Sequence, residues 1–174
     1  MANVNNPFGL RSLGVTLSGG APQIELYDKV VGYGTAVFPG DAVNQVADGS
    51  IEKSATPGST LFSGVALDYG AALKATDHLV IVSPDAIFVT QCDDDATGLV
   101  AADRGLNCNL ILGAGSATTL KSAHQLDTST KQTTSTLDMK LRRLFGVPDN
   151  AYGEWSRWEV VFNNHRNAMG TTAV

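Results

Sequence analysis

The chain has 174 residues and a mass of 18.2 kDa, with 43% hydrophobic residues but only 17% charged residues, against about 25% in average soluble domains. So few Glu, Lys and Arg residues cannot cover many exposed helices, which excludes a helical bundle or a coiled coil. The formal net charge is −5, with twelve acidic and four basic residues between positions 25 and 104, so the chain has no basic patch of the kind that binds nucleic acid.

The first 22 residues differ in composition from the rest of the chain. They are rich in Asn, Gly and Pro, and Phe8 and Leu10 are isolated apolar residues among them. We interpret residues 1–22 as an extended arm that orders either against a partner or against the chain's own domain. Residues 23–174 then form a single β-rich domain.

Short apolar segments separated by turn residues follow the arm. Pro39-Gly40, Asp48-Gly49 and Pro57-Gly58 are turn signals between such segments. The pattern predicts six strands, at 33–38, 42–46, 50–55, 61–67, 78–82 and 86–91. This regular spacing is typical of a compact antiparallel β-barrel or sandwich, a mainly β fold.

The C-terminal half predicts strands at 107–112 and 137–145 and a last strand at 155–163, with strand fragments and a long polar loop over 113–136. Trp155 and Trp158 are three residues apart on this last strand and so face opposite sides. One of them is expected in the core. The other is expected at a contact with a neighbouring subunit, or beneath the 113–136 loop.

No catalytic motif is found. His78, His124 and His165 lie far apart in sequence and outside any known nucleophile or zinc motif, so we predict no catalytic residues. Cys92 and Cys108 have no metal-ligand spacing and are interpreted as buried thiols, although a disulfide between neighbouring strands is also possible.

The acidic run 93–95, with Asp103 eight residues later, is the best candidate for a metal site. It lacks the alternating ligand pattern and the bidentate Glu of a calcium loop, so a solvated turn is favoured and neither metal nor cofactor is predicted. The densest apolar run, 79–82, is far too short for a membrane span, and the N-terminus has no secretory signal. We therefore expect a soluble protein with no membrane partner.

Six phrases occur in order along nearly the whole chain, and together they resemble one known family. They are Asn-Pro-Phe-Gly-Leu-Arg at 6–11, Tyr-Gly-Thr-Ala-Val-Phe-Pro-Gly-Asp-Ala-Val at 33–43, Ser-Gly-Val-Ala at 63–66, Val-Ser-Pro-Asp-Ala-Ile-Phe-Val-Thr-Gln at 82–91, Pro-Asp-Asn-Ala-Tyr-Gly at 148–153, and Asn-Asn-His-Arg at 163–166. The series is similar to the head decoration or cement proteins of short-tailed bacteriophages.

This resemblance implies a structural virion protein, not an enzyme, made in the bacterial host cytoplasm. It would bind the outer surface of an icosahedral head and stabilise the head against packaged DNA. The implied partners are the major capsid protein and further copies of the chain as a homotrimer, with no nucleic acid. Candidate capsid contacts in the arm are Asn6, Pro7, Phe8, Leu10 and Arg11, and candidate oligomer contacts are Trp155 and Trp158.

Two other classes of function remain open from the sequence. A receptor- or carbohydrate-binding β-module of a virion fibre or spike would use the same scaffold, with the 113–136 loop and exposed aromatic residues as its platform. A small β-barrel hydrolase would need a pocket with perturbed carboxylates or histidines, for which the sequence shows no arrangement.

Overall fold

A computed structural model of the chain describes residues 3–29, 32–58, 61–74, 76–95 and 98–168. The strands, numbered in chain order, are β1 Arg11–Thr16, β2 Ile24–Asp28, β3 Ala42–Gln45, β4 Ile51–Lys53, β5 Gly64–Ala66, β6 Asp77–Ile81, β7 Ala86–Gln91, β8 Asn107–Cys108, β9 Leu110–Ser116, β10 Lys121–Leu126, β11 Met139–Leu144 and β12 Arg157–Phe162. Short 3₁₀ helices span Ala101–Asp103 and Thr128–Thr130. None of the described helices is long and apolar enough to cross a membrane.

The strands form two five-stranded sheets and a hairpin. The first sheet has the order β1-β7-β12-β11-β8, the second has the order β2-β6-β5-β3-β4, and β9 pairs with β10. All of these strand pairs are antiparallel. The predicted mainly β, antiparallel fold is confirmed, and of the two expected architectures the described strands form a sandwich rather than a closed barrel.

The main core lies where the two sheets face each other. Alternate residues of a strand point to the same side, and Trp158, Val160 and Phe162 of β12 all enter this core, as their spacing predicts. The Phe162 ring lies 5.3 Å from the Phe62 ring and 5.5 Å from the Phe88 ring. Packed aromatic rings therefore fill the centre of the sandwich.

A second core covers the opposite face of the second sheet. Its buried members are Val37, Val43, Ile51, Ala66, Val80 and Val82. Segment 33–38, predicted as a strand, contributes only an isolated bridge between Val37 and Gly70 and otherwise runs as a loop across this face. The β-rich composition of the segment reflects burial against a sheet, not membership of one.

The strand fragments predicted within 113–136 belong to one hairpin, because residues 110–126 form β9 and β10, and the polar loop is shorter than predicted. Gly115 lies against the Phe38 ring, and a Cβ atom at this position would come within 2.2 Å of it. Close approach of other groups thus requires glycine inside the strand, and glycine weakens the strand signal in the sequence.

Candidate functional site

A groove of about 810 Å³ lies beside the N-terminal segment, and we call it the N-terminal groove. Residues from both sheets and from the hairpin line it, so it exists only in the folded domain. The lining residues include Asn3, Val4, Asn6, Phe8, Leu10, Arg11, Ser12, Ala66, Leu67, Gln91, Leu120, Lys121, Asp149, Trp155 and Arg157.

Residues 3–10 are held against the domain in an extended course. The Asn3 side-chain amide donates to the carbonyl oxygens of Ala151 and Glu154, both at 2.8 Å. The Asn6 N–H donates to Gln91 Oε1 at 2.8 Å, and Gln91 Nε2 donates to the Val4 carbonyl at 2.8 Å. The first part of the predicted arm therefore forms one wall of the groove.

The end of this segment is anchored in the core. Leu10 is only 2% exposed, and its N–H donates to the Gly40 carbonyl at 2.9 Å. Gly9 has a φ of 74°, and a Cβ atom there would lie 2.5 Å from the Ser122 side chain. Glycine is thus needed at position 9 for both its backbone conformation and its packing. Residues 11–16, also within the predicted arm, form β1 of the first sheet.

The structure brings most of the sequence-predicted contact residues together. Asn6, Phe8, Leu10 and Arg11 line the groove, as does Trp155 from the other end of the chain. Pro7 is half-buried beside them and is not among the lining residues. Trp155, which was predicted as an oligomer contact, therefore shares one surface with the residues predicted as capsid contacts.

Trp158 lies outside this surface. Its side chain is fully buried, and its Nε1 donates to Ser156 Oγ at 2.9 Å, so it cannot contact a neighbouring subunit. The predicted strand from 155 begins instead at Arg157, and Trp155 lies in the preceding turn with a φ of 52°. Trp155 thus reaches the groove from this turn, and strand alternation does not decide where its ring lies.

The charged side chains of the groove are mostly basic. Arg11 and Lys121 are exposed and Arg157 is half-buried, whereas Asp149 is the carboxylate among the lining residues. The Arg11 guanidinium lies 5.6 Å from the centre of the Phe8 ring, within the distance of a cation–π contact. Spacing in the sequence gave no signal for Gln91, Lys121 or Arg157, because they reach the groove from three separate strands.

A buried polar network lies below the hairpin. His124 Nε2 is 3.4 Å from Asp41 Oδ1, and Lys53 Nζ is 3.6 Å from Asp41 Oδ2. Burial raises the pKa of Asp41, while burial and then Lys53 lower the pKa of His124 to about 3. His124 Nδ1 accepts the Ala42 N–H at 3.2 Å, so this nitrogen cannot take a proton from a nucleophile. The network fixes the hairpin on the second sheet.

The fold keeps two of the acidic residues singled out from the sequence together and separates Asp103 from them. Asp93 and Asp95 gather with Asp127, their carboxylate oxygens lying within 4.8 Å of one another, whereas Asp103 pairs with Lys131 at 3.0 Å. Asp93 Oδ1 accepts the N–H and the hydroxyl of Thr128, and Asp127 Oδ1 accepts the N–H and hydroxyl of Ser129. Hydrogen bonds of this kind are typical of acidic side chains that cap turns.

The remaining titratable candidates are buried. His78 contacts the Asp68 carboxylate at 2.5 Å, and burial lowers the pKa of His165 to about 4. Cys92 and Cys108 are both buried and unbonded to each other, and burial raises the pKa of each thiol.

Comparisons with protein-family models, with curated proteins and with solved structures find no match to this chain.

Proposed function

We propose that the protein is a capsid decoration protein that binds the outside of an icosahedral phage head and stabilises it against packaged DNA. The observation that carries the proposal is the convergence of Asn6, Phe8, Leu10, Arg11 and Trp155 on the N-terminal groove. The resemblance of the six sequence phrases to head decoration proteins supplies the identity of the partner, the major capsid protein.

The groove suits attachment because its walls are fixed before binding. Hydrogen bonds from Asn3 and Gln91 hold the N-terminal segment on the domain, and Leu10 is buried in the core. A pre-organised surface loses less conformational entropy on association than a free arm does. Val4, Leu67 and Leu120 are exposed at the groove by 74%, 37% and 46%, and burying them against a capsid surface would favour binding.

The homotrimer is part of the same proposal, and the second sheet offers a surface for it. Leu26 of β2 is 63% exposed and lies directly opposite Leu79 of β6, which is 44% exposed. Ile24, on the same face of β2, is 49% exposed. We call these three residues the apolar strip. Contact between strips of neighbouring copies would remove them from water, and several linked copies would attach to the head with greater avidity than one.

The test uses heads assembled in cells that do not make this protein. Purified full-length protein is mixed with the heads, which are then pelleted, and the bound copies are counted per particle. We expect hundreds of copies of the wild type and at least a tenfold weaker attachment of Phe8→Ser. Ile111→Ser, which changes a 37% exposed residue of β9 outside the groove, is the matched control and should bind normally.

Three outcomes contradict the proposal. No attachment of the wild type would exclude decoration. Attachment of only tens of copies would favour the fibre or spike module instead. Normal attachment of Phe8→Ser, with its fold verified by circular dichroism, would remove the groove from the binding surface.

A further inference from the structure

We propose that the N-terminal groove binds an extended, acidic polypeptide segment that also carries apolar side chains. The inference deepens the proposed function and rests on it for the biological partner, because it names the chemistry of the capsid segment that the groove would accept. The charge of the groove, its apolar lining and the position of β1 support this binding chemistry.

The basic side chains of the groove have no carboxylate partner among the residues that the structure describes. Elsewhere Lys53 pairs with Asp41, Lys131 with Asp103, and Arg142 and Arg143 with Glu159. Among the described residues, Arg11, Lys121 and Arg157 make no such ion pair.

The carboxylate that shares the groove does not neutralise them. Arg157 Nη2 donates at 3.3 Å to the backbone carbonyl of Asp149 rather than to its carboxylate. Arg11 lies over the Phe8 ring, which leaves its positive charge uncompensated. In a chain with a net charge of −5, this local excess of positive charge favours an acidic ligand.

The cations of the groove come from different elements of the fold. Arg11 lies on β1, Lys121 begins β10 and Arg157 begins β12, so three separate elements present positive charge to one volume. Nucleic acid is a poorer occupant, because its repeated phosphates need a long basic surface and residues 25–104 of this chain carry a net charge of −8. A short run of carboxylates matches three cations.

The strand that carries Arg11, β1, is an outer strand of the first sheet. Arg11 and Ser12 of this strand line the groove, and on its outer side β1 pairs with none of the described strands. An extended polypeptide can add to such an edge through main-chain hydrogen bonds. Phe8, Leu67 and Leu120 provide apolar contacts for alternate side chains of the same segment.

The experiment measures binding of two labelled peptides of about ten residues by fluorescence anisotropy, a length that spans a strand of ordinary size. In the acidic peptide Glu alternates with Phe and Leu, and in the matched peptide Lys replaces every Glu. We expect the full-length protein to bind the acidic peptide at least tenfold more tightly than the basic one. The preference should weaken as the salt concentration rises.

Charge reversal locates the site. The double variant Arg11→Glu/Lys121→Glu should lose at least tenfold in affinity for the acidic peptide. Lys140→Glu changes an exposed lysine of β11 outside the groove and should change the affinity by less than about twofold. Thermal unfolding of each variant verifies that the fold is retained.

Equal binding of both peptides, no binding of the acidic peptide, unchanged affinity of the double variant, or tighter binding of a single-stranded oligonucleotide would each overturn the inference. Attachment to heads separates it from the proposed function. If the double variant attaches to heads as the wild type does, the acidic-segment inference fails and decoration stands. If heads bind no wild type while the acidic peptide binds selectively, decoration fails and the groove chemistry stands.

Discussion

The side chain of Gln91 and the backbone of Asn6 form a hydrogen bond of 2.8 Å that joins the end of a central strand to the N-terminal segment. The same amide donates to the carbonyls of Val4 and Trp155 at 2.8 and 2.9 Å. One nearly buried side chain, 3% exposed, thus links the N-terminal segment to the turn at Trp155.

Gln91→Met should open this connection while keeping the volume of the side chain. It leaves the Asn6 N–H and two carbonyls without partners, so we expect a loss of about 2 kcal/mol in the free energy of unfolding and faster hydrogen exchange at Asn6. Gln125→Met is the control, because the Gln125 amide makes only a 3.5 Å contact with Asn5. Equal effects of the two substitutions in urea unfolding and hydrogen exchange would contradict the assignment.

Leu26→Glu should prevent self-association through the apolar strip. A carboxylate on β2 would have to lose its hydration at the contact between copies, which costs far more than the apolar contact contributes. Sedimentation velocity over a range of concentrations should show an oligomer for the wild type and a monomer for the variant. Ile111→Glu should leave the oligomer intact, and an oligomeric Leu26→Glu would exclude the strip as the interface.

His165→Asn should change how stability depends on pH. Burial lowers the pKa of His165 from its ordinary value near 6.5 to about 4, so between these values the unfolded chain binds the extra proton. The contribution of His165 to the free energy of unfolding is therefore fully present above pH 6.5 and is lost as the pH drops towards 4. Burial lowers the pKa of His124 to about 3, which gives a slope of the same sign in both proteins. Asn can accept the Asn167 N–H in place of Nδ1 and does not titrate.

We expect the slope in this window to be smaller in the variant by up to about 1.4 kcal/mol per pH unit. Burial raises the pKa of Asp41 and of Asp138, which gives a slope of opposite sign in both proteins and cancels in the comparison. Urea unfolding at a series of pH values measures the difference. Parallel curves for the two proteins would show that His165 is not the titrating group.

Lys53→Met should destabilise the network below the hairpin. The Lys53 ammonium lies 3.6 Å from the fully buried Asp41 carboxylate and donates to the Gly113 carbonyl at 2.7 Å. Removing it leaves a buried charge without its cation, for which we expect a loss of about 3–5 kcal/mol. Asp41→Asn added to Lys53→Met should recover part of this loss, and strictly additive effects in the double-mutant cycle would show that the pair does not interact.

Both thiols should be unreactive in the folded protein. Cys92 and Cys108 are fully buried, and burial raises the pKa of each, so the reactive thiolate is scarce. A chromogenic thiol reagent at pH 8 should report almost no reaction until denaturant is added, and then two thiols per chain. Rapid reaction of the folded protein would contradict the burial of these side chains.

The amino-acid sequence by itself determined the fold class, because period-two alternation and turn residues are local signals. The strand predicted at 86–91 is β7 exactly, and Trp158, Val160 and Phe162 share one face as their spacing requires. Local signals predicted a strand at 33–38, where the residues are buried against a sheet but run as a loop. They gave only a weak strand signal in the hairpin, where close packing requires glycine at position 115.

Only the tertiary structure decided where the candidate site lies. Phe8 and Trp155 are separated by almost the whole chain, and they line one groove because β1 and β12 flank β7 in the first sheet. The sequence placed both tryptophans on a strand, whereas the turn at Trp155 leaves one ring at the groove and Trp158 in the core. The low charge of the chain constrained its partners, but the positive groove depends on long-range strand pairing, which no local pattern encodes.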